Sequence, residues 1–127
     1  MFDAYSFLSA YALFTLLTIA VQIYFTRRQV GFAMMISDRQ NMPKLTGLAG
    51  RLDRAQANNV VALALVAPAA LILGAKGWNS AADWLALTFL VMRVLYTLAY
   101  AANWGLARMA VWLVSYIAIA ALYIIGL

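Results

Sequence analysis

The sequence predicts an all-α fold: an integral membrane four-helix bundle running up, down, up and down. Three observations carry that reading. The chain is 67% hydrophobic and only 10% charged, where a soluble domain usually carries about 25% charged residues. Its apolar residues fall into four segments, near 5–25, 55–75, 81–103 and 107–126, each close to the ~20 residues a helix needs to cross the hydrocarbon. Its cations gather in one place, between the first segment and the second.

The first segment, about Tyr5 to Phe25, does not read as a cleaved signal peptide. Asp3 precedes it, a basic leader is missing, and Arg27 and Arg28 follow it. The second, about Ala55 to Ala75, contains Pro68, where a membrane helix is expected to bend rather than break. The third runs from about Ala81 to Asn103 and the fourth from about Ala107 to Gly126. All four are too long and too evenly apolar for buried strands, and together they make one domain, residues 1–127.

The stretch 27–54 holds Arg27, Arg28, Arg39, Lys44, Arg51 and Arg54 against Asp38 and Asp53. Six cations less two acids leaves +4 of the chain's formal +5. The positive-inside rule places this loop in the cytoplasm and both termini on the other side. Gly31, Pro43, Gly47 and Gly50 make the loop irregular in places, with "MPKLTG" as a turn. Its main role is then topological, with contacts to anionic membrane lipids. Nucleic acid is not an expected partner, because the charge lies at a membrane surface without a recognition motif.

Composition also limits the chemistry. The chain has no Cys and no His, and its only acids are Asp3, Asp38, Asp53 and Asp83. No metal site is expected, and any sulfur chemistry must be brought in by a cofactor.

Polar residues inside the spans are therefore the informative ones. An Arg at the bilayer centre costs about 2.5–3.5 kcal/mol on insertion scales. Arg93 lies roughly ten residues, or ~15 Å, from the nearer end of the third span. Tyr96, Tyr100 and Asn103 follow at helical spacing and make one stripe with it. Arg54 and Asn58 stand one turn apart on the second span, with Val61 continuing that face, and Arg108 opens the fourth. Singly, such residues are helix–helix glue. Together, several cationic donors without a nearby carboxylate suit an anionic ligand. Small-residue stretches such as "AYAANWGLA" and "IAIAAL" favour close helix packing and oligomers.

At these residues the chain resembles the membrane-associated proteins in eicosanoid and glutathione metabolism (MAPEG), in the form of a bacterial-type member. "RLDRAQANNV" is similar to the family's R-x-x-x-N-x-x-E, at Arg54, Asn58 and Val61. "RVLYTLAYAANWGLAR" is similar to its R-x-x-Y-x-x-x-Y, at Arg93, Tyr96 and Tyr100, followed by Arg108. The resemblance spans essentially the whole chain. It implies a homotrimer in a bacterial inner membrane, with glutathione sites between subunits near the cytoplasmic face. It implies that Arg54, Asn58, Arg93, Tyr96 and Tyr100 hold glutathione, with Arg27 or Arg28 as a further carboxylate contact. Arg108 would be the catalytic residue, stabilising the thiolate for transfer to an apolar electrophile or lipid hydroperoxide. The chain departs from the pattern at Val61, which stands where the family has Glu. It departs also at Ala57, where an Arg often stands, and at Met109, where some members have Ser or Thr. Losing that Glu removes an anchor for a ligand's amino group and a partner for Arg93, if position 61 faces Arg93. Two other classes remain: a non-catalytic membrane protein of the same fold that binds a lipid or another anion, and a small multidrug exporter. Proton-coupled export needs a titratable group within the membrane, usually a carboxylate, and the four Asp residues all lie at helix ends or in loops.

Overall fold

The structure, a computed structural model, describes Met1 to Leu127. It is entirely helical: α1 (Ala4–Val30), α2 (Phe32–Ile36), α3 (Gly47–Lys76), α4 (Ser80–Ala101) and α5 (Gly105–Gly126). The four long helices are long and apolar enough to cross a membrane, with mean hydropathies from 1.6 to 2.1 in their most apolar windows. Large apolar side chains such as Leu13, Leu16, Leu17, Leu98, Leu113 and Ile117 point outward. Polar Thr15, Thr18, Gln22, Asn59, Arg93, Thr97 and Ser115 point inward. This inverts the usual arrangement of a soluble domain and suits a hydrocarbon surround.

Helix boundaries follow local chemistry. Asp3 accepts from the Ser6 backbone N–H at 2.7 Å, and its own N–H donates to Ser6 Oγ at 3.0 Å. This reciprocal capping box fixes the start of α1. The Ser6 backbone N–H, and then the Ser6 side chain, hold the Asp3 carboxyl below the ordinary carboxylate range. The capping contribution is therefore complete above the ordinary Asp pKa and is lost as pH falls through the lowered one. α1 ends at Gly31, whose φ of 86° is open to glycine and strained for other residues. Asn79 caps α4 by accepting from the Ala82 N–H at 2.9 Å.

The central helix is α3, which packs against α1, α4 and α5. Its buried face carries Ala55, Asn59, Ala62, Val66, Ala69, Ala70 and Leu73, mostly small residues that let backbones approach. At one end of the bundle a Cβ on Gly74 would stand 2.8 Å from Ala4 Cβ, so α1 and α3 meet closely there. Gly74→Val is expected to destabilise the bundle by roughly 1–3 kcal/mol, the usual range for overpacking, read as a lower midpoint in denaturant titration from mild detergent. An unchanged midpoint would show that this approach is dispensable. At the same end Lys76 Nζ donates to the Gly126 carbonyl at 2.7 Å, and Asp83 accepts from the Phe2 N–H at 2.6 Å. Phe7, Tyr11 and Phe89 fill the adjoining core, with Phe89 5.8 Å from Phe7 and 4.8 Å from Tyr11 between ring centroids.

Several expectations change in detail. The stretch 27–54 is largely helical: α1 continues through Arg27 and Arg28, α2 occupies Phe32–Ile36, and α3 starts at Gly47. The irregular part is confined to the connection between α2 and α3, where the turn falls at Gln40 and Asn41 rather than on "MPKLTG". Gly50 lies within α3, where a Cβ would come 2.7 Å from the Leu45 carbonyl oxygen; glycine is needed for that approach, not for a turn. α3 passes through Pro68 as one helix. Pro68 has no N–H for the Ala64 carbonyl, and Tyr123 donates its hydroxyl to the adjoining Leu65 carbonyl at 2.6 Å. Asn103 lies beyond the end of α4 with φ 63°, so the stripe on that helix stops at Tyr100.

Candidate functional site

The starts of α3 and α5 and the end of α4 meet at one end of the bundle. Arg51 Nε donates to the Ala101 carbonyl at 3.1 Å and ties α3 to the last turn of α4. Three residues further along α3, Arg54 Nε donates to the Tyr100 hydroxyl at 3.1 Å. The Arg54 guanidinium carbon lies 5.8 Å from the centre of the Tyr100 ring, and that of Arg108 lies 4.4 Å from it. Two cations thus share one aromatic ring, which disperses some of their charge and holds both near one point. Tyr100 Oη accepts from Arg54, so its own proton is free to be donated.

A cavity of about 330 Å³ opens beside this pair, lined by Tyr96, Tyr100, Arg108, Met109 and Trp112. Trp112 packs on Tyr116 one turn further along α5, with ring centroids 4.6 Å apart. One wall is therefore cationic and phenolic, and the rest is apolar. Arg108 sits in the first turn of α5, a turn without an acidic residue or a side-chain cap. A cation is unfavourable against the positive end of a helix dipole, and an anion bound nearby relieves that.

Arg93 is fully buried behind this wall, at 0% exposure. Its Nε and Nη2 donate to Asn59 Oδ1 at 3.1 and 2.8 Å, and Nη2 also donates to Asn58 Oδ1 at 2.7 Å. Nη1 donates to Ser115 Oγ at 3.3 Å. Its guanidinium carbon lies 4.3 Å from the Tyr96 ring centre. Every acceptor is neutral. Asn59 is the hub: its Oδ1 accepts also from the Tyr11 hydroxyl at 3.0 Å, and its Nδ2 donates to Thr97 Oγ1 at 2.9 Å. One amide therefore joins α1, α3 and α4, and through Arg93 it reaches α5.

The residues singled out in the sequence separate into three places. Arg54, Tyr96, Tyr100 and Arg108 gather at or beside the cavity. Arg93 and Asn58 belong to the buried network, and Arg93 approaches the cavity only through Tyr96. Arg27 and Arg28 stand exposed in the last turn of α1, their guanidinium carbons each 6.0 Å from the ring centres of Phe32 and Tyr24. Within this chain they do not join the cavity. Val61 does not face Arg93: it is 51% exposed, and Asn59 and Ala62 take the buried face. Asn59, Ser115, Tyr11 and Thr97 escaped the sequence reading. The signal was present, because a buried guanidinium requires acceptors and these spans contain few polar residues.

Residues 5–127 match the MAPEG family, which is essentially the whole chain. No curated protein matches the sequence. With four helices able to span a bilayer and a family match over nearly its full length, the chain is an integral, multi-pass membrane protein and belongs to the MAPEG family, the membrane proteins of glutathione and eicosanoid metabolism.

Proposed function

We propose that this protein is a glutathione-dependent transferase or peroxidase acting on apolar electrophiles or lipid hydroperoxides that arrive through the bilayer. The observation that carries the reading is the convergence of Arg54 and Arg108 on Tyr100, beside a cavity whose remaining wall is apolar. The donor set fits the acidic groups of glutathione. Arg54 and Arg108 offer planar N–H forks suited to carboxylates, and Tyr100 offers an O–H. When bound, glutathione supplies the nucleophilic sulfur that a chain without cysteine cannot. Arg108 favours the charged form of a thiol beside it, whose ordinary pKa is about 8.5. Met109 and Trp112 give an apolar partner a dry surface. Asn58 and Arg93 support the wall from behind, and Arg27 or Arg28 would contact a carboxylate only from a neighbouring copy.

The assembly we propose is a homotrimer in a bacterial inner membrane, with α3 at its interface and the 27–54 segment in the cytoplasm. Outward-facing Val61 and Arg54 on α3 favour such an interface, and native mass spectrometry from mild detergent should show three copies; a stable dimer would count against it. The orientation rests on the +4 charge of that segment. The native chain has no cysteine, so Lys44→Cys gives a single label at an exposed position. An impermeant reagent should modify it only after lysis, and labelling of intact cells would reverse the orientation.

The functional reading is tested by titrating glutathione into the purified protein and following conjugation of a generic apolar electrophile. Binding with turnover is expected. Binding without turnover would instead favour the non-catalytic anion-binding reading, which the neutral position 61 and the absence of a carboxylate near the cavity support.

A further inference from the structure

We infer that this site recognises its thiol partner through acidic groups alone and makes no contact with an ammonium group. The inference rests on the glutathione reading above and narrows the class of ligand: an acidic thiol in which an amino group is not required.

The argument is a census of carboxylates. A primary ammonium held in a protein site needs an acidic partner or several well-placed neutral acceptors, because stripping it of water is costly. The chain has four acidic side chains. Asp83 lies at the far end of the bundle, bonded to Phe2 and to the N-terminal ammonium. It is 17 residues before Tyr100 on α4, a separation of about 25 Å along the helix axis. Asp3 caps α1 at that same far end. Asp53 precedes Arg54, but its Oδ1 accepts from Gln22 Nε2 at 3.4 Å and so turns toward α1. Asp38 closes a local turn by accepting from the Gln40 N–H at 3.0 Å, after α2, which packs on α1.

The faces that approach the cavity carry no acid. On α4 the lining is Tyr96 and Tyr100, on α5 it is Arg108, Met109 and Trp112, and Arg54 of α3 stands beside it on Tyr100. The amide oxygens of Asn58 and Asn59 already accept from the Arg93 guanidinium, a cation that disfavours a second positive charge beside them. A second copy of the chain adds only the same four Asp side chains: in it too Asp3 and Asp83 lie at the far end of the bundle, and Asp53 and Asp38 accept from Gln22 and from the Gln40 N–H. The local field is cationic throughout, and each added positive charge on a ligand is disfavoured.

Glutathione at neutral pH carries two carboxylates and one ammonium. Its des-amino analogue, glutaryl-cysteinyl-glycine, keeps the thiol and both carboxylates and lacks the ammonium. Isothermal titration of each into the wild-type protein in detergent reads the difference directly, without relying on turnover. The analogue is expected to bind as tightly as glutathione or up to tenfold tighter. A preference for glutathione of more than threefold overturns the inference while leaving the glutathione reading in place. Failure of both thiols to bind overturns both readings. Arg54→Gln separates recognition of acidic groups from apolar trapping, because it should weaken both thiols by a similar factor. An Arg54→Gln variant that binds both as tightly as wild type also overturns the inference.

Discussion

Replacing Asn59 by leucine is expected to lower stability by about 2–3 kcal/mol, the upper part of the range for leaving a buried donor without its acceptor, because that donor belongs to a charged group. The side chain is fully buried. It supplies the acceptor for two of the Arg93 N–H groups, receives the Tyr11 hydroxyl and donates to Thr97. Leucine fills a similar volume, so the loss is one of polar partners and not of packing. Arg93 then keeps Asn58 and Ser115, while its Nε loses its acceptor inside the bundle. The companion variant is Asn59→Leu with Arg93→Met. With the charge gone, apolar groups of similar size replace the pair, a change that is often neutral or stabilising, so the double variant should recover most of the loss. Equilibrium unfolding in mixed micelles, followed by far-ultraviolet circular dichroism, reads both. If Asn59→Leu unfolds at the wild-type midpoint, the network does not hold the four helices together.

The same network shows where the sequence is legible and where it is not. Hydropathy locates four spans because a bilayer imposes a length and excludes charge, and each span appears as one long helix. It misjudges their ends. α3 begins at Gly47 rather than near Ala55 because charged residues outside the hydrocarbon can continue a helix that packing already supports. Helical spacing puts Tyr96 and Tyr100 on one face of α4, since neighbours one turn apart share a face whatever else the fold does, and the positions of Arg54 and Arg108 near the starts of their spans bring them to the same end of the bundle. The identity of Arg93's partners depends on how α3 is rotated about its axis. Asn58 and Asn59 are adjacent in sequence and ~100° apart around the helix, and the fold gives the deeper place to Asn59. Position 61 turns outward with that same rotation, which is why a carboxylate placed there would not meet Arg93 within the chain. Burial of neutral Thr, Gln and Ser along α1 and α5 is likewise invisible to composition, because each alternates with apolar residues in the same span.

Arg108→Ala is expected to lower thiol transfer to an apolar electrophile by about 10²-fold, the lower end of what losing one preorganised donor costs at a developing anion. The guanidinium makes no hydrogen bond within the chain and rests on the Tyr100 ring, so the helices should assemble without it. Unfolding midpoint and oligomeric state should therefore match wild type, which separates a chemical role from a structural one. The pH dependence gives the sign. A cation beside a thiol favours the thiolate and lowers the thiol pKa from about 8.5, so the reactive form is present above that lowered value. Removing the cation returns the pKa upward, and each unit is about 1.4 kcal/mol. The rate against pH should rise at a higher pH in the variant than in wild type, with part of the loss recovered in alkali. Arg108→Lys keeps the charge but loses the planar face that stacks on Tyr100, so its rate should fall between the two. Measured as a pH–rate profile together with the ultraviolet band of bound thiolate, a shared profile for wild type and Arg108→Ala would remove Arg108 from the chemistry. The Arg54–Tyr100 pair would then stand as an anion-binding site alone.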